Sequence, residues 1–217
     1  CLQELSQLGV VKPFKLAVND VSGRLQIPQK LYGRSREVEQ LISAFERVRH
    51  SGSELMLVSG YSGIGKSFLI NEIQKPIVKH KGYYISGKFE RLKKEVPYSA
   101  FVHALTQMAK QILAEDDESI AVWKEQILLS LGGNAKIIND LIPTFELVLG
   151  EQPELPILEA LEAQNRFNFV LQKFVETLAT SERPLVLFLD DLQWADLASL
   201  HLLKIVVMDP EIEHLLI

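Results

Sequence analysis

The chain has 217 residues, 47% apolar and 24% charged, and its 23 Lys and Arg against 28 Asp and Glu leave a net charge of −5. This composition supplies a core for one large or two small domains and excludes disorder as the main state. The mild acidity excludes a general nucleic-acid binder, and apolar runs of only a few residues fall short of the roughly 20 that a membrane-spanning helix needs.

Cys1 is the single cysteine, so no intrachain disulfide can form, which fits a reducing, cytoplasmic setting. A first residue that is Cys rather than Met reads as a piece cut from a longer protein, in preference to a lipidated N-terminus. Residues 1–31 read as a linker from a preceding module, with an extended connector and turn signals at Asn19-Asp20 and Ser22-Gly23, and residues 32–217 as one domain.

From Arg36 the residues Val38, Leu41, Ile42, Phe45 and Val48 keep helical spacing, and His50-Ser51-Gly52 stops the helix. Leu55-Met56-Leu57-Val58 predicts a short buried strand. A glycine-rich turn follows, then a helix from about Lys66 that Pro76 should kink or end. Tyr83-Tyr84-Ile85 predicts a second strand.

Residues 98–181 read as helical throughout. The clearest stripe joins Phe101, Leu105, Met108 and Ile112, and a long helix over 157–178 should turn Leu161, Phe167, Val170, Leu171 and Phe174 inward. Residues 185–189 are the most apolar strand candidate, a helix with Leu197, Leu200, Leu203 and Ile205 follows, and residues 215–217 begin another strand. Continuous apolar strands separated by helices predict an α/β fold: a parallel sheet flanked by helices, with a helical insert before the acidic strand.

Gly60-Tyr61-Ser62-Gly63-Ile64-Gly65-Lys66-Ser67 fits the phosphate-binding pattern G-x-x-x-x-G-K-[ST] at every fixed position, with a strand before it and a helix after it. The glycines let successive backbone N–H groups converge on an anion, and the helix start adds its positive end. In such a loop Lys66 places an ammonium on the β- and γ-phosphates, and the Ser67 hydroxyl is a ligand for Mg²⁺. The pattern predicts a nucleotide-binding P-loop NTPase.

Residues 185–191 deliver Asp190 and Asp191 at the C-terminal end of a buried strand, where open α/β sheets hold ligands. Asp190 is the candidate for Mg²⁺, and Asp191 the candidate catalytic residue that orients or deprotonates a water. Asp196 reads as a helix N-cap, and Trp194 as a core or surface contact beside the site. Lys75, Lys79, Lys81, Lys88, Arg91, Lys93 and Lys94 read as a solvated basic rim rather than a nucleic-acid face.

Five separated segments carry a family resemblance: Leu31-Tyr32-Gly33-Arg34, the 60–67 loop, residues 85–89, residues 162–167 and residues 188–196. Together they resemble the AAA-type ATPase module of large, mainly cyanobacterial, signalling kinases, and the wider class of signal-transduction ATPases with numerous domains. The resemblance implies a cytoplasmic regulatory switch that binds ATP with Mg²⁺, has ATP hydrolysis as its reaction, and has the other domains of a multidomain kinase as partners. It implies that Tyr32 and Gly33 lie at the adenine with Arg34 close by; a plain turn opening the helix is the other reading of those three residues. The family pattern continues with a sensor strand and a helical lid, so on this resemblance the module is truncated at Ile217 and binding survives better than hydrolysis. A nucleotide-binding scaffold without turnover stays open, as does part of a protein kinase whose catalytic domain lies outside this chain.

Overall fold

In the computed structural model residues 34–61, 64–93 and 96–217 are described, all within the unit Leu31–Ile217. The readings placed on residues 1–31, and on Tyr32, Gly33, Ser62 and Gly63, lie outside them, as does the side chain of Ser67.

Helix α1 (Ser35–His50) buries Leu41, Ala44, Phe45 and Val48 on the face their spacing predicts. Glu37 sits in its first turn and Arg47, Arg49 and His50 in its last, each sign at the favourable end of the helix dipole. It stops at Ser51, whose N–H donates to the Arg47 carbonyl, and Gly52 then turns with φ of +76°. Strand β1 (Ser53–Glu54) follows, and α2 (Lys66–Glu72) and α3 (Gln74–Lys79) flank a break at Ile73. Pro76 thus sits in the first turn of a new helix, where its missing N–H costs nothing.

Strands β2 (Tyr83–Lys88), β3 (Leu185–Asp190) and β4 (Leu215–Leu216) complete a four-stranded sheet in the order β1-β4-β3-β2. Every pair is parallel, so the fold is the expected α/β class with helices on both faces. β2 and β3 run in register from Tyr83 opposite Leu185 to Lys88 opposite Asp190. The β1–β4 ladder covers two residues on each strand and is extended by Met56 N–H donating to the Ile217 carbonyl at 2.8 Å.

One expectation is corrected here. Residues 55–58 are not a buried strand: beyond the Met56 N–H they take no part in the ladder, Leu55 is exposed, and Leu57 keeps 73% of its surface in contact with solvent. An apolar run alone does not bury a segment; it needs neighbours on both faces.

The insert comprises α4 (Ser99–Ile112), α5 (Asp117–Leu131), α6 (Lys136–Leu141), α7 (Glu146–Leu149) and α8 (Ala160–Leu178), linked by turns. The long helix starts three residues later than its periodicity suggests, because Glu159 is extended after Pro153 and Pro156. Leu161, expected inward, is exposed on its first turn, while Val170, Leu171 and Phe174 are buried. After β3 come α9 (Leu197–Met208) and β4.

Side chains that alternate along the strands feed two cores. Ile85, Leu185, Leu187 and Leu215 pack with the insert helices and α9, including an edge-on Phe145–Phe174 pair at 4.9 Å. Val186 and Leu216 pack with α1, α2 and α3 on the other face. Gly87 marks the tightest approach: a Cβ there would lie 2.0 Å from the Ala100 carbonyl oxygen, so α4 meets β2 backbone to backbone.

Candidate functional site

Parallel strands place all their C-terminal ends on one side of the sheet, and that side gathers the residues singled out in the sequence. Ser59, Gly60 and Lys66 on one wall, and Asp190, Asp191 and Gln193 on the other, line one cavity of about 560 Å³. Its floor is apolar, with Met56, Val58, Val186, Phe188 and Leu189.

Lys66 opens α2 and folds back over its own loop, its Nζ donating to the Gly60 carbonyl at 2.9 Å and the Tyr61 carbonyl at 3.1 Å. Two of the three ammonium donors therefore close the loop on itself. Gly65 has φ of +95°, a left-handed geometry that a residue with a Cβ adopts only under strain. Tyr61 and Ile64 project into solvent. Arg34 reaches this loop from the start of α1: its Nη2 donates to the Ile64 carbonyl at 3.4 Å, and its Nη1 lies 3.6 Å from Glu37.

The acidic end is held by its own backbone. Asp190 Oδ1 accepts the N–H of Asp191 at 2.9 Å, and the Asp190 carbonyl accepts the N–H of Phe89 at 3.1 Å. Asp191 has φ of +56°, which Asp tolerates better than most residues, and its carbonyl accepts the Trp194 N–H at 2.9 Å. Its carboxylate is engaged at both oxygens. Gln193 Nε2 donates to Oδ1 at 2.9 Å, and Lys88 Nζ lies 3.2 Å from Oδ2. The Gln193 hydrogen bond first, then Lys88, with a smaller contribution from Lys66, holds the Asp191 carboxyl below the usual carboxylate range.

Lys88 is the functional candidate that the sequence reading missed, since it was assigned to a solvated basic rim. It is the last residue of β2, directly beside Asp190 in the parallel register. Its ammonium is pushed up chiefly by the hydrogen bond to Asp191. Extending the second predicted strand by three residues, to Lys88, is the signal that finds it. Arg91, from the same basic cluster, lies over the Trp194 ring at 5.5 Å, and Trp194 packs against the insert-side core, the contact role expected of it. Asp196 caps α9 as expected, accepting the Ser199 N–H at 2.8 Å.

Residues 30–217 match the AAA ATPase domain family. The chain belongs to that family. As a family member it is a P-loop NTPase and a nucleotide-binding domain.

This AAA ATPase domain is similar to segments of much longer proteins. It is 37% identical over 197 residues to hybrid signal transduction histidine kinase G of Dictyostelium discoideum, covering 91% of this chain and 6% of that protein. It is 23% identical over 215 residues to histidine protein kinase 1 of Candida albicans, covering 92% of this chain and 8% of that protein. Against the peroxide stress-activated histidine kinase mak3 of Schizosaccharomyces pombe it is 30% identical over 118 residues, 53% of this chain and 5% of that protein. The chain thus spans less than a tenth of each of these relatives. No solved structure gives a significant match. No helix among the described residues is long and apolar enough to cross a membrane.

Proposed function

We propose that this domain binds ATP together with Mg²⁺, hydrolyses it, and acts as a nucleotide-operated switch within a cytoplasmic multidomain signalling kinase. The observation that carries the reading is the shared cavity: Gly60 and Lys66 on one side and Asp190 and Asp191 on the other converge on one space.

Each residue then has a role set by its chemistry. Lys66 exchanges its two loop carbonyls for phosphate oxygens, a stronger charge-assisted contact. Backbone N–H groups at the start of α2 meet the same oxygens. The Asp190 carboxylate and the Ser67 hydroxyl are hard oxygen donors of the kind that suits Mg²⁺, which takes one or two protein ligands plus phosphates. Among the described residues no three His, Cys, Asp or Glu side chains cluster, so the donor set fits an ion held jointly with the nucleotide rather than a protein-only cage. That ion supplies neutralisation of charge on the phosphates. Asp191 orients the attacking water. Arg34 is drawn to the loop through Ile64, and we assign Tyr32 and Gly33, which precede it in sequence, to the base with Arg34 close by.

A second reading, binding without turnover, is favoured by one observation: Lys88 and Gln193 occupy both oxygens of Asp191. Likeness to histidine kinases from an amoeba and two fungi supports a place in signalling for either reading.

Calorimetric titration with ATP, ADP and GTP, with and without Mg²⁺, tests the binding. Steady-state phosphate release tests turnover, with Lys66→Ala abolishing binding and Asp191→Asn leaving binding intact while release falls by about 10²-fold or more. Tight ATP binding with no release from the wild type would select the second reading. No binding of any nucleotide would end both.

A further inference from the structure

β2 is the outer strand of the sheet. Its odd-numbered residues bond to β3, as Tyr83 N–H to the Pro184 carbonyl and Phe89 N–H to the Asp190 carbonyl show, so the N–H and C=O groups of Tyr84, Ser86 and Lys88 face away from the sheet. A helix of the insert answers the groups of Ser86 and the carbonyl of Tyr84. Gln107 of α4 takes both groups of Ser86, its Oε1 accepting the N–H at 3.1 Å and its Nε2 donating to the carbonyl at 2.9 Å. Gln111 Nε2 donates to the Tyr84 carbonyl at 3.0 Å. Glu115, just past the helix, accepts from the Tyr83 hydroxyl.

The match is geometric. Four residues of helix rise about 6.0 Å and two residues of strand about 6.6 Å, so a row of side chains four apart keeps step with the exposed edge. The row runs 111, 107 while the strand runs 84, 86, and the next positions in step are His103 and Lys88. Gly87 lets the helix backbone lie against the strand at this level.

We propose that Gln107 is a positioning residue for the Lys88–Asp191 pair, with α4 fixing the height of the β2 end at which Lys88 meets Asp191. The functional meaning rests on the nucleotide-site reading above, whereas the coupling belongs to the chain alone. A displacement of the insert along this row is thereby carried two residues up the strand to the acidic end of the site.

The test is backbone amide NMR of the 217-residue chain without nucleotide. Gln107→Met keeps the side-chain volume and removes both hydrogen bonds. It is expected to displace the amide signals of Lys88 and Asp191, in the direction in which Lys88→Ala displaces Asp191. Gln111→Met, gripping further from Lys88, is expected to move them less. In a Lys88→Ala background Gln107→Met should no longer move Asp191, an outcome that a general loosening of the fold does not produce. Displacements confined to Ser86 and α4, or an equal effect on Asp191 with and without Lys88, would overturn the proposal. Should Gln107→Met not fold, Gln107→Glu keeps the acceptor for the Ser86 N–H, loses the donor to its carbonyl, and is read by the same signals. Nucleotide affinity is measured separately by calorimetry, so failure of the coupling and failure of the nucleotide reading are distinct results.

Discussion

Lys88 and Asp191 meet across the ends of two neighbouring parallel strands, with Nζ 3.2 Å from Oδ2, although a helical insert separates them in the chain. Their pairing lowers the affinity of Asp191 for a proton and, together with Gln193, fixes the direction of its carboxylate. Replacement of Lys88 by Ala should move the Asp191 titration midpoint up toward the ordinary value of 3.8 while leaving the Gln193 contribution in place. Carbon-13 NMR of the Asp191 carboxyl reads this directly, and an unmoved midpoint would assign the depression to Gln193 and Lys66 without Lys88. A depressed carboxyl adds stability above its unfolded value and loses it as pH falls through the folded one, so the variant should also lose less stability on acidification.

Tyr83 supplies the opposite limb of the pH profile. Burial first, then the hydrogen bond to Glu115, push its hydroxyl from 10.0 up to about 12. The folded chain keeps a proton that the unfolded chain releases, so this contribution is whole below pH 10 and is lost between pH 10 and about 12. Tyr83→Phe should flatten the loss of stability across that window in urea melts. Arg183 continues to pair with Glu115 at 2.8 Å and to lie 5.2 Å from the Trp123 ring.

Gly87→Ala forces a methyl group into the Ala100 carbonyl, an obstacle made of backbone. We expect a loss of about 3 kcal/mol or more in denaturant unfolding, with α4 displaced from β2. Gly133→Ala, whose Cβ would meet nothing within 4 Å, is the control and should change stability little.

Asp196→Ala removes the cap of α9 and strips Ser199, which is wholly buried, of its partner at 2.6 Å. The expected cost is about 2 kcal/mol, the upper part of the range for a lost cap because a buried hydroxyl is left unpaired as well. Asp196→Asn retains an acceptor for the Ser199 N–H and should recover most of it.

What the sequence made readable was set by local rules. The 60–67 loop announces itself because phosphate binding needs glycine and lysine at fixed steps, and the 185–190 strand because a parallel sheet buries both of its faces. The cap at Asp196 follows from one oxygen and one N–H three residues on. The Lys88–Asp191 pair was hidden because strand register is set by packing between segments far apart in sequence. Residues 55–58 misled for the same reason, since burial of an apolar run depends on which strands lie beside it. The row of Gln107, Gln111 and Glu115 carries helical spacing but polar chemistry, and a search for apolar stripes passes over it.

The ladder between Ser53–Glu54 and Leu215–Leu216 ties the first strand to the last. During vectorial synthesis the segment that leads into residues 60–67 must wait for Leu215 and Leu216 to emerge before it gains this strand neighbour. The parallel β2–β3 pair and the insert between them precede β4 in the chain and can condense earlier, so the contact of β1 with β4 closes the longer loop and carries the larger entropic cost.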